Sequence, residues 1–215
     1  MILKYHNNDR DSPFRKKSAN FTANNFFMAE IYRCGWCEGD ALYESYHDNE
    51  WGVPVYDDDI FFEFLVLETF QAGLSWITIL RKREHFRNAF DGFDYKRIAN
   101  YNQDKIDALL EDAGIVRNKL KINGTVTNAK AFMGIQNEHG SFSKYIWGFT
   151  NGKPIKNALK NYKDTPASSA LSDTISKALK KQGFKFVGTT VVYAFLQATG
   201  LINDHEIRCF RYEEV

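Results

Sequence analysis

Five side chains in this 215-residue sequence have the types of metal ligands: Cys34, Cys37 and His47 toward its start, His205 and Cys209 near its end. Thiolate and imidazole donors suit zinc, which takes four of them in a tetrahedral set. His205 and Cys209 fall on one helical face or within one turn, and Cys34 with His47 would complete a set of two cysteines and two histidines. Cys34 and Cys37 also have a knuckle-like spacing, so spacing alone leaves open which cysteine is dispensable, and free Cys and His are commonly just buried. Four such ligands would join segments 158 positions apart (205 − 47), against a closure cost that grows only logarithmically. That describes a structural clasp, not a catalytic metal with an open position.

A second group combines aromatic faces with a carboxylate. Trp36, Tyr43, Tyr46 and Trp51 surround His47 in sequence, and Trp76 follows Glu68 by eight residues. Glu68 sits in Leu67-Glu68-Thr69-Phe70-Gln71, at the apolar end of a helical pattern, where an ionised side chain is costly unless it is paired or functional. From Cys34 to Leu80 there are ten acids and no Lys or Arg. Aromatic faces and a carboxylate without a neighbouring base describe a pocket for something flat and electron-poor or cationic, although most such residues simply build cores.

The third group is Leu109 to Lys119, which reads as helix, tight turn at Ala113-Gly114, helix. Glycine there would allow a backbone conformation closed to other residues, and the following helix would point free N–H groups at an anion. From Ala113 to Asn137 there are four basic residues and no acid, which suits a phosphate contact. An ordinary helical hairpin with a glycine cap has the same signature.

The elements that must position these groups have a helical period. The run Asp57-Asp58-Asp59 can cap a helix carrying Ile60, Phe61, Phe64, Leu65 and Leu67. Gly73 interrupts it, and Ser75 can cap a second helix with Ile77, Ile79, Leu80 and a basic face of Arg81, Lys82, Arg83 and Arg87. Further helices are expected around Ile106 to Leu110, from about Asn118 to Gln136, and over 142–149, 172–182 and 188–199. Only Phe184 to Val187 alternates like a short strand, so the fold reads as all-α. Residues 1–27, rich in Asn, Ser and basic side chains, read as a disordered extension, with Met28 a second candidate start. Three cysteines exclude a disulfide framework, and no apolar run is long enough for a membrane helix, so a cytoplasmic protein is expected.

The charge sum of +1, from 28 Lys+Arg against 27 Asp+Glu, argues at first against nucleic acid. Its partition does not: the first 33 residues carry +3, Cys34 to Leu80 carries −10, and the remainder carries +8. A near-neutral total suits modest non-specific DNA affinity with a shallow salt slope.

Arg33-Cys34-Gly35-Trp36, Tyr46-His47-Asp48-Asn49-Glu50-Trp51-Gly52, Gln71-Ala72-Gly73-Leu74-Ser75-Trp76, Lys185-Phe186-Val187-Gly188 and Asn203-Asp204-His205 resemble the DNA-3-methyladenine glycosylase I family of the helix-hairpin-helix glycosylases, in the family's order. The resemblance runs from about Arg33 to Cys209. It implies an all-α helix-hairpin-helix glycosylase fold with a zinc clasp of Cys34, His47, His205 and Cys209, leaving Cys37 a non-ligand. It implies one unit over 28–215 with two lobes, a hairpin lobe of about 81–150 and a clasped lobe of about 31–80 plus 151–215. It makes Glu68 the catalytic carboxylate, with Tyr46, Trp36, Trp76 and Trp51 around an extruded base. Gly73 and Leu74 would probe the gap in the duplex, and Gly114 and Lys119 would meet the backbone. The implied partner is alkylated double-stranded DNA, bound by a monomer.

Most helix-hairpin-helix glycosylases use an Asp downstream of the hairpin, whereas this chain has Gln136-Asn137-Glu138-His139-Gly140 there, with Glu138 expected exposed. Alkylation at N3 already makes adenine a cation that leaves neutral, so extrusion, recognition and placement of water matter more than a strong acid. The implied reaction is monofunctional hydrolysis of the N-glycosidic bond, leaving an abasic site, because Cys34 to Leu80 offers no lysine for a lyase. Two other readings remain open: a non-catalytic zinc-stabilised DNA-binding module, and zinc-dependent hydrolysis.

Overall fold

The computed structural model describes residues 31–215; the extension expected at 1–27 and the start at Met28 lie outside the described residues. The elements are helices α1 (Ala41–Asn49), α2 (Asp58–Gln71), α3 (Trp76–Ala89), α4 (Tyr95–Ile98), α5 (Gln103–Glu111), α6 (Lys119–His139), α7 (Phe142–Gly148), α8 (Ala170–Lys181) and α9 (Thr189–Ala198). Two strands of two residues each, β1 (Ile155–Lys156) and β2 (Ile202–Asn203), pair in parallel with Ile155 opposite Ile202.

The central helix is α2. Every residue from Phe61 to Phe70 except Glu63 is buried, as expected of a helix that is apolar all round, and it packs on α3, α6, α7 and α9. The aspartates before it divide their work. Asp57 caps α2, accepting from the Asp59 and Ile60 N–H groups at 2.8 and 3.3 Å, whereas Asp58 accepts from the Phe142 and Ser143 N–H groups at the start of α7. Around α2 the core is built of phenylalanine, with Phe61, Phe62, Phe70, Phe132, Phe142 and Phe195 fully buried.

Three local expectations change, and one helix is added that they did not include. Phe184 to Val187 is not a strand: the Asn128 amide takes both the N–H and the C=O of Lys185, and Phe186 adopts φ +59°, so no ladder can form there. Ser75 precedes α3 without capping it through its side chain, and its hydroxyl bonds Thr78 Oγ1 instead. Helix α1 has too little apolar period to be read from sequence, and Asp40 starts it by accepting from Leu42 N and Tyr43 N. Finally, α3 does not carry a free basic face. Arg83 is buried and bonds Glu50 and Glu63 at 2.5 Å, Arg87 bonds Glu63 and Glu84, and Arg81 bonds Asp40.

Candidate active site and metal cluster

The α2 helix delivers Glu68 to the floor of a cavity of about 200 Å³. Trp36, Tyr43, Tyr46, Trp51 and Trp76 form its aromatic lining, and Gln71, Tyr162, Thr165, Ala194 and Gln197 complete it. Trp36 meets Tyr43 and Trp51 edge-on, with ring centroids 4.8 and 5.0 Å apart, and Tyr46 lies 5.3 Å from Trp76. Glu68 is 4% exposed, and its Oε2 has no hydrogen-bond partner among the described residues; the same holds for Trp76 Nε1. Burial pushes the Glu68 carboxyl up to about 8, and it raises the hydroxyls of Tyr43, to about 12, and Tyr46. At neutral pH the pocket therefore holds a carboxyl that keeps its proton until a positive charge beside it favours ionisation, and two phenols that keep theirs.

The expected metal ligands converge beside this pocket. The donor atoms of Cys34, His47, His205 and Cys209, all buried, lie within 4.8 Å of one another. Cys209 Sγ is 3.4 Å from His47 Nε2 and 3.5 Å from His205 Nδ1, and Cys34 Sγ is 3.6 Å from His205 Nδ1. Zinc–sulfur and zinc–nitrogen bonds of ordinary length give a tetrahedral edge of about 3.6 Å, so the donor set fits such an ion. Both imidazoles are turned by outer partners, as metal-binding histidines usually are. His205 Nε2 bonds the Trp51 carbonyl at 3.1 Å, which turns Nδ1 to the thiols. His47 Nδ1 bonds Asp48 at 2.8 Å, which leaves Nε2 inward. Burial would raise the Asp48 carboxyl, but the Arg33 guanidinium and His47 outweigh it and hold it below the usual range. Cys37 stands apart: its thiol donates to the Cys34 carbonyl at 3.1 Å, and burial pushes it up to about 12.

The fold explains how ligands so far apart in sequence meet. The pairing of β1 with β2, extended by Leu159 opposite Glu206, holds the segment carrying His205. Glu206 accepts from Tyr32 OH at 2.6 Å and donates its own N–H to Cys34 Sγ at 3.3 Å. Gly52, at φ +80°, is a position where a side chain cannot stand, because its Cβ would lie 2.8 Å from His205 Nε2.

Beyond the pocket, the turn between α2 and α3 projects Gly73, at φ +88°, and Leu74, 42% exposed. Lys121 reaches across from α6 to donate to the carbonyls of Phe70 and Ala72 at 3.0 and 2.9 Å, so the turn is tied to the start of the hairpin's second helix. Gly114 lies in that hairpin at ordinary φ, contrary to the expected need for an unusual backbone. Space decides instead: its Cβ would approach Asp112 Oδ1 to 2.9 Å and His85 to 3.1 Å. Lys119 is exposed at the first position of α6, beside exposed Arg117 and Leu120. Glu138 is exposed at the other end of α6 and reaches only Gln182 and its neighbour His139 among the described residues.

The residues expected around a base, Trp36, Tyr46, Trp51, Glu68 and Trp76, share one cavity, while those expected at the duplex gap and backbone, Gly73, Leu74, Gly114 and Lys119, lie outside its lining. Sequence reasoning missed Gln71, which stands inside a motif already singled out, and Tyr162, Thr165 and Gln197. The last three lie about a hundred positions or more from Glu68 and had no local signal.

An all-α fold with a buried acid under an aromatic pocket, a cysteine–histidine cluster at its side and a glycine hairpin is the architecture of a glycosylase-type protein. The profile of the methyladenine glycosylase family matches residues 36–212, and the chain belongs to that family. It is 46% identical over 180 residues to DNA-3-methyladenine glycosylase 1 of Escherichia coli, covering 84% of this chain and 96% of that one. It is 45% identical to the DNA-3-methyladenine glycosylase of Haemophilus influenzae, over 82% and 96% of the two chains. A crystal structure of 3-methyladenine DNA glycosylase I superposes with a TM-score of 0.81 at 46% identity, covering 83% of this chain and 98% of the other. The enzyme from Staphylococcus aureus, whose structure addresses 3-methyladenine recognition, superposes with a TM-score of 0.81 at 36% identity, over 85% and 97%.

Proposed function

We propose that this protein removes 3-methyladenine from duplex DNA by hydrolysing its N-glycosidic bond, leaving an abasic site. The observation that carries the reading is Glu68, a buried carboxyl with an unpartnered oxygen on the floor of an aromatic pocket. A cationic base entering between Trp36, Tyr46 and Trp76 supplies the positive charge that lets Glu68 ionise, so carboxylate and cation stabilise each other away from water. Neutral adenine brings no such charge and is held less well. As the bond from C1′ to the base breaks, its electrons neutralise the base, and water adds to C1′ and gives up a proton to the surrounding solvent. Leu74, presented by Gly73, fills the space the base vacates, and the Gly114 hairpin with Lys119 rests on the backbone.

Cys34, His47, His205 and Cys209 would hold one zinc ion as a structural clasp. With four protein donors the ion is saturated and supplies no water to the reaction; its contribution is to hold chain segments together. Trp36, Tyr46 and Trp51 stand within four positions of a ligand, so the clasp also fixes pocket walls.

The test is release of free base from methylated duplex DNA. Wild type should release 3-methyladenine, and Glu68→Gln should slow release by about ten- to a hundredfold, the scale of one lost charge-assisted contact. Binding of methylated and plain duplex alike, with no base released, would overturn the reading.

A further inference from the structure

The strongest unassigned feature of the pocket is the direction of one amide. Gln197, on α9, lines the cavity together with its aromatic walls. Its Nε2 donates to Asp204 Oδ2 at 2.7 Å. Asp204 is 1% exposed and also accepts from Tyr193 OH at 2.7 Å and from Asn157 Nδ2 at 2.7 Å. A carboxylate offers only acceptors, so the Gln197 NH2 must face it, and the amide carbonyl Oε1 is the end left for the cavity. Gln197 cannot turn over without setting its carbonyl against a buried carboxylate.

We infer that Gln197 Oε1 accepts a hydrogen bond from the exocyclic amine at position 6 of the extruded purine, with Asp204 as the positioning residue that fixes the amide's direction. The inference rests on the proposed glycosylase reading and assigns to one residue a preference between substrates: 6-amino purines are released faster than 6-oxo purines. A 6-oxo group would place two acceptors face to face in a dry site, and a site built to bond a donor rejects the analogue that lacks it. The rest of the wall does not make this distinction by itself, because aromatic faces hold either purine and Glu68 can donate when protonated and accept when ionised.

The experiment measures release of 3-methyladenine and 3-methylguanine from the same methylated duplex, as the ratio of their kcat/KM values. Taking both from one enzyme preparation cancels any loss of folded protein. Gln197→Leu should lower 3-methyladenine release by about tenfold or more and 3-methylguanine release much less, narrowing the ratio by about tenfold. Gln197→Met, which keeps the side-chain length, should behave alike and guards against a packing effect. Asp204→Asn gives Gln197 a partner that can donate as well as accept, so the amide can turn, and the ratio should again shift toward the 6-oxo base. In the double variant Asp204→Asn with Gln197→Leu, the ratio should match that of Gln197→Leu alone. An equal fall for both lesions in the Gln197 variants would overturn the inference while leaving the glycosylase reading intact. Wild-type protein that releases neither lesion would overturn both.

Discussion

Glu68 pays for its position, since burial in α2 raises its carboxyl to about 8 from an ordinary 4.5. The folded state therefore keeps a proton that the unfolded chain releases above about pH 4.5. The sign follows: stability falls as pH rises from about 4.5 to 8 and levels off beyond, and below 4.5 there is no penalty. Glu68→Gln, which cannot ionise, should make the free protein more stable by about 3 kcal/mol at pH 7, an upper figure for a shift of this size. Melting curves from pH 4 to 8.5 would check it; a variant no more stable at pH 8 than at pH 4, relative to wild type, would show that Glu68 is not held protonated. Stabilised but slow enzyme is the signature of a site that sacrifices stability for function. A carboxylate between Leu67 and Phe70 is visible in sequence because the helical period puts it where only apolar residues belong. Gln197 is not visible, because its meaning depends on Asp204 and on a cavity wall that only the folded chain assembles.

At the scale of elements, the turn between α2 and α3 depends on a lysine that is not part of it. The last carbonyls of a helix need donors, and Lys121 supplies two from α6, although burial lowers its own pKa. Lys121→Met should lower stability by about 1–3 kcal/mol through the orphaned carbonyls, and it should also impair base release, because the turn that presents Leu74 loses its tie. Leu74→Ala separates the two effects: at this exposed site stability should change by less than about 0.5 kcal/mol while base release falls. If Leu74→Ala released base at the wild-type rate, the turn would have no part in extrusion. Most helices were legible from their period and their Asp, Asn and Ser starts. The strand expected at Phe184 to Val187 failed because alternation over four residues cannot reveal that Asn128 takes the backbone groups a neighbouring strand would need. The basic face read on α3 failed because the linear charge pattern hides pairing: the acids of Cys34 to Leu80 draw in Arg81, Arg83 and Arg87 across space.

For the molecule as a whole, this pairing changes what the +1 sum means. Three acids of the acidic stretch, Asp40, Glu50 and Glu63, are paired with arginines counted in the basic one, and the cations at the hairpin, Arg117 and Lys119, stand on the exposed side. The start of the same stretch is held by the cysteine–histidine cluster, which brings Cys34 and His47 to His205 and Cys209 across 171 and 162 positions. A cross-link closing a loop of this length contributes on the order of 4 kcal/mol or more by restricting the unfolded chain, which for a chain of this size is roughly 10 °C in Tm. The cluster does more than close the chain, because Trp51 offers its carbonyl to His205 and packs its ring 4.5 Å from that imidazole, while Trp36 lies 5.3 Å from His47. Removing an ion held by these four donors should therefore loosen the pocket as well as the fold. Metal content by elemental analysis should be about one zinc per chain, and chelation under mild denaturant, or Cys209→Ser, should lower Tm by roughly 10 °C. Free 3-methyladenine should then lose its effect on tryptophan fluorescence, because Trp36 and Trp51 no longer stand at fixed positions in the wall. If Tm and the fluorescence response both survived complete metal removal, the four side chains would be a buried polar cluster without a clasp. If Tm fell but the response persisted, the ion would stabilise the chain without shaping the site.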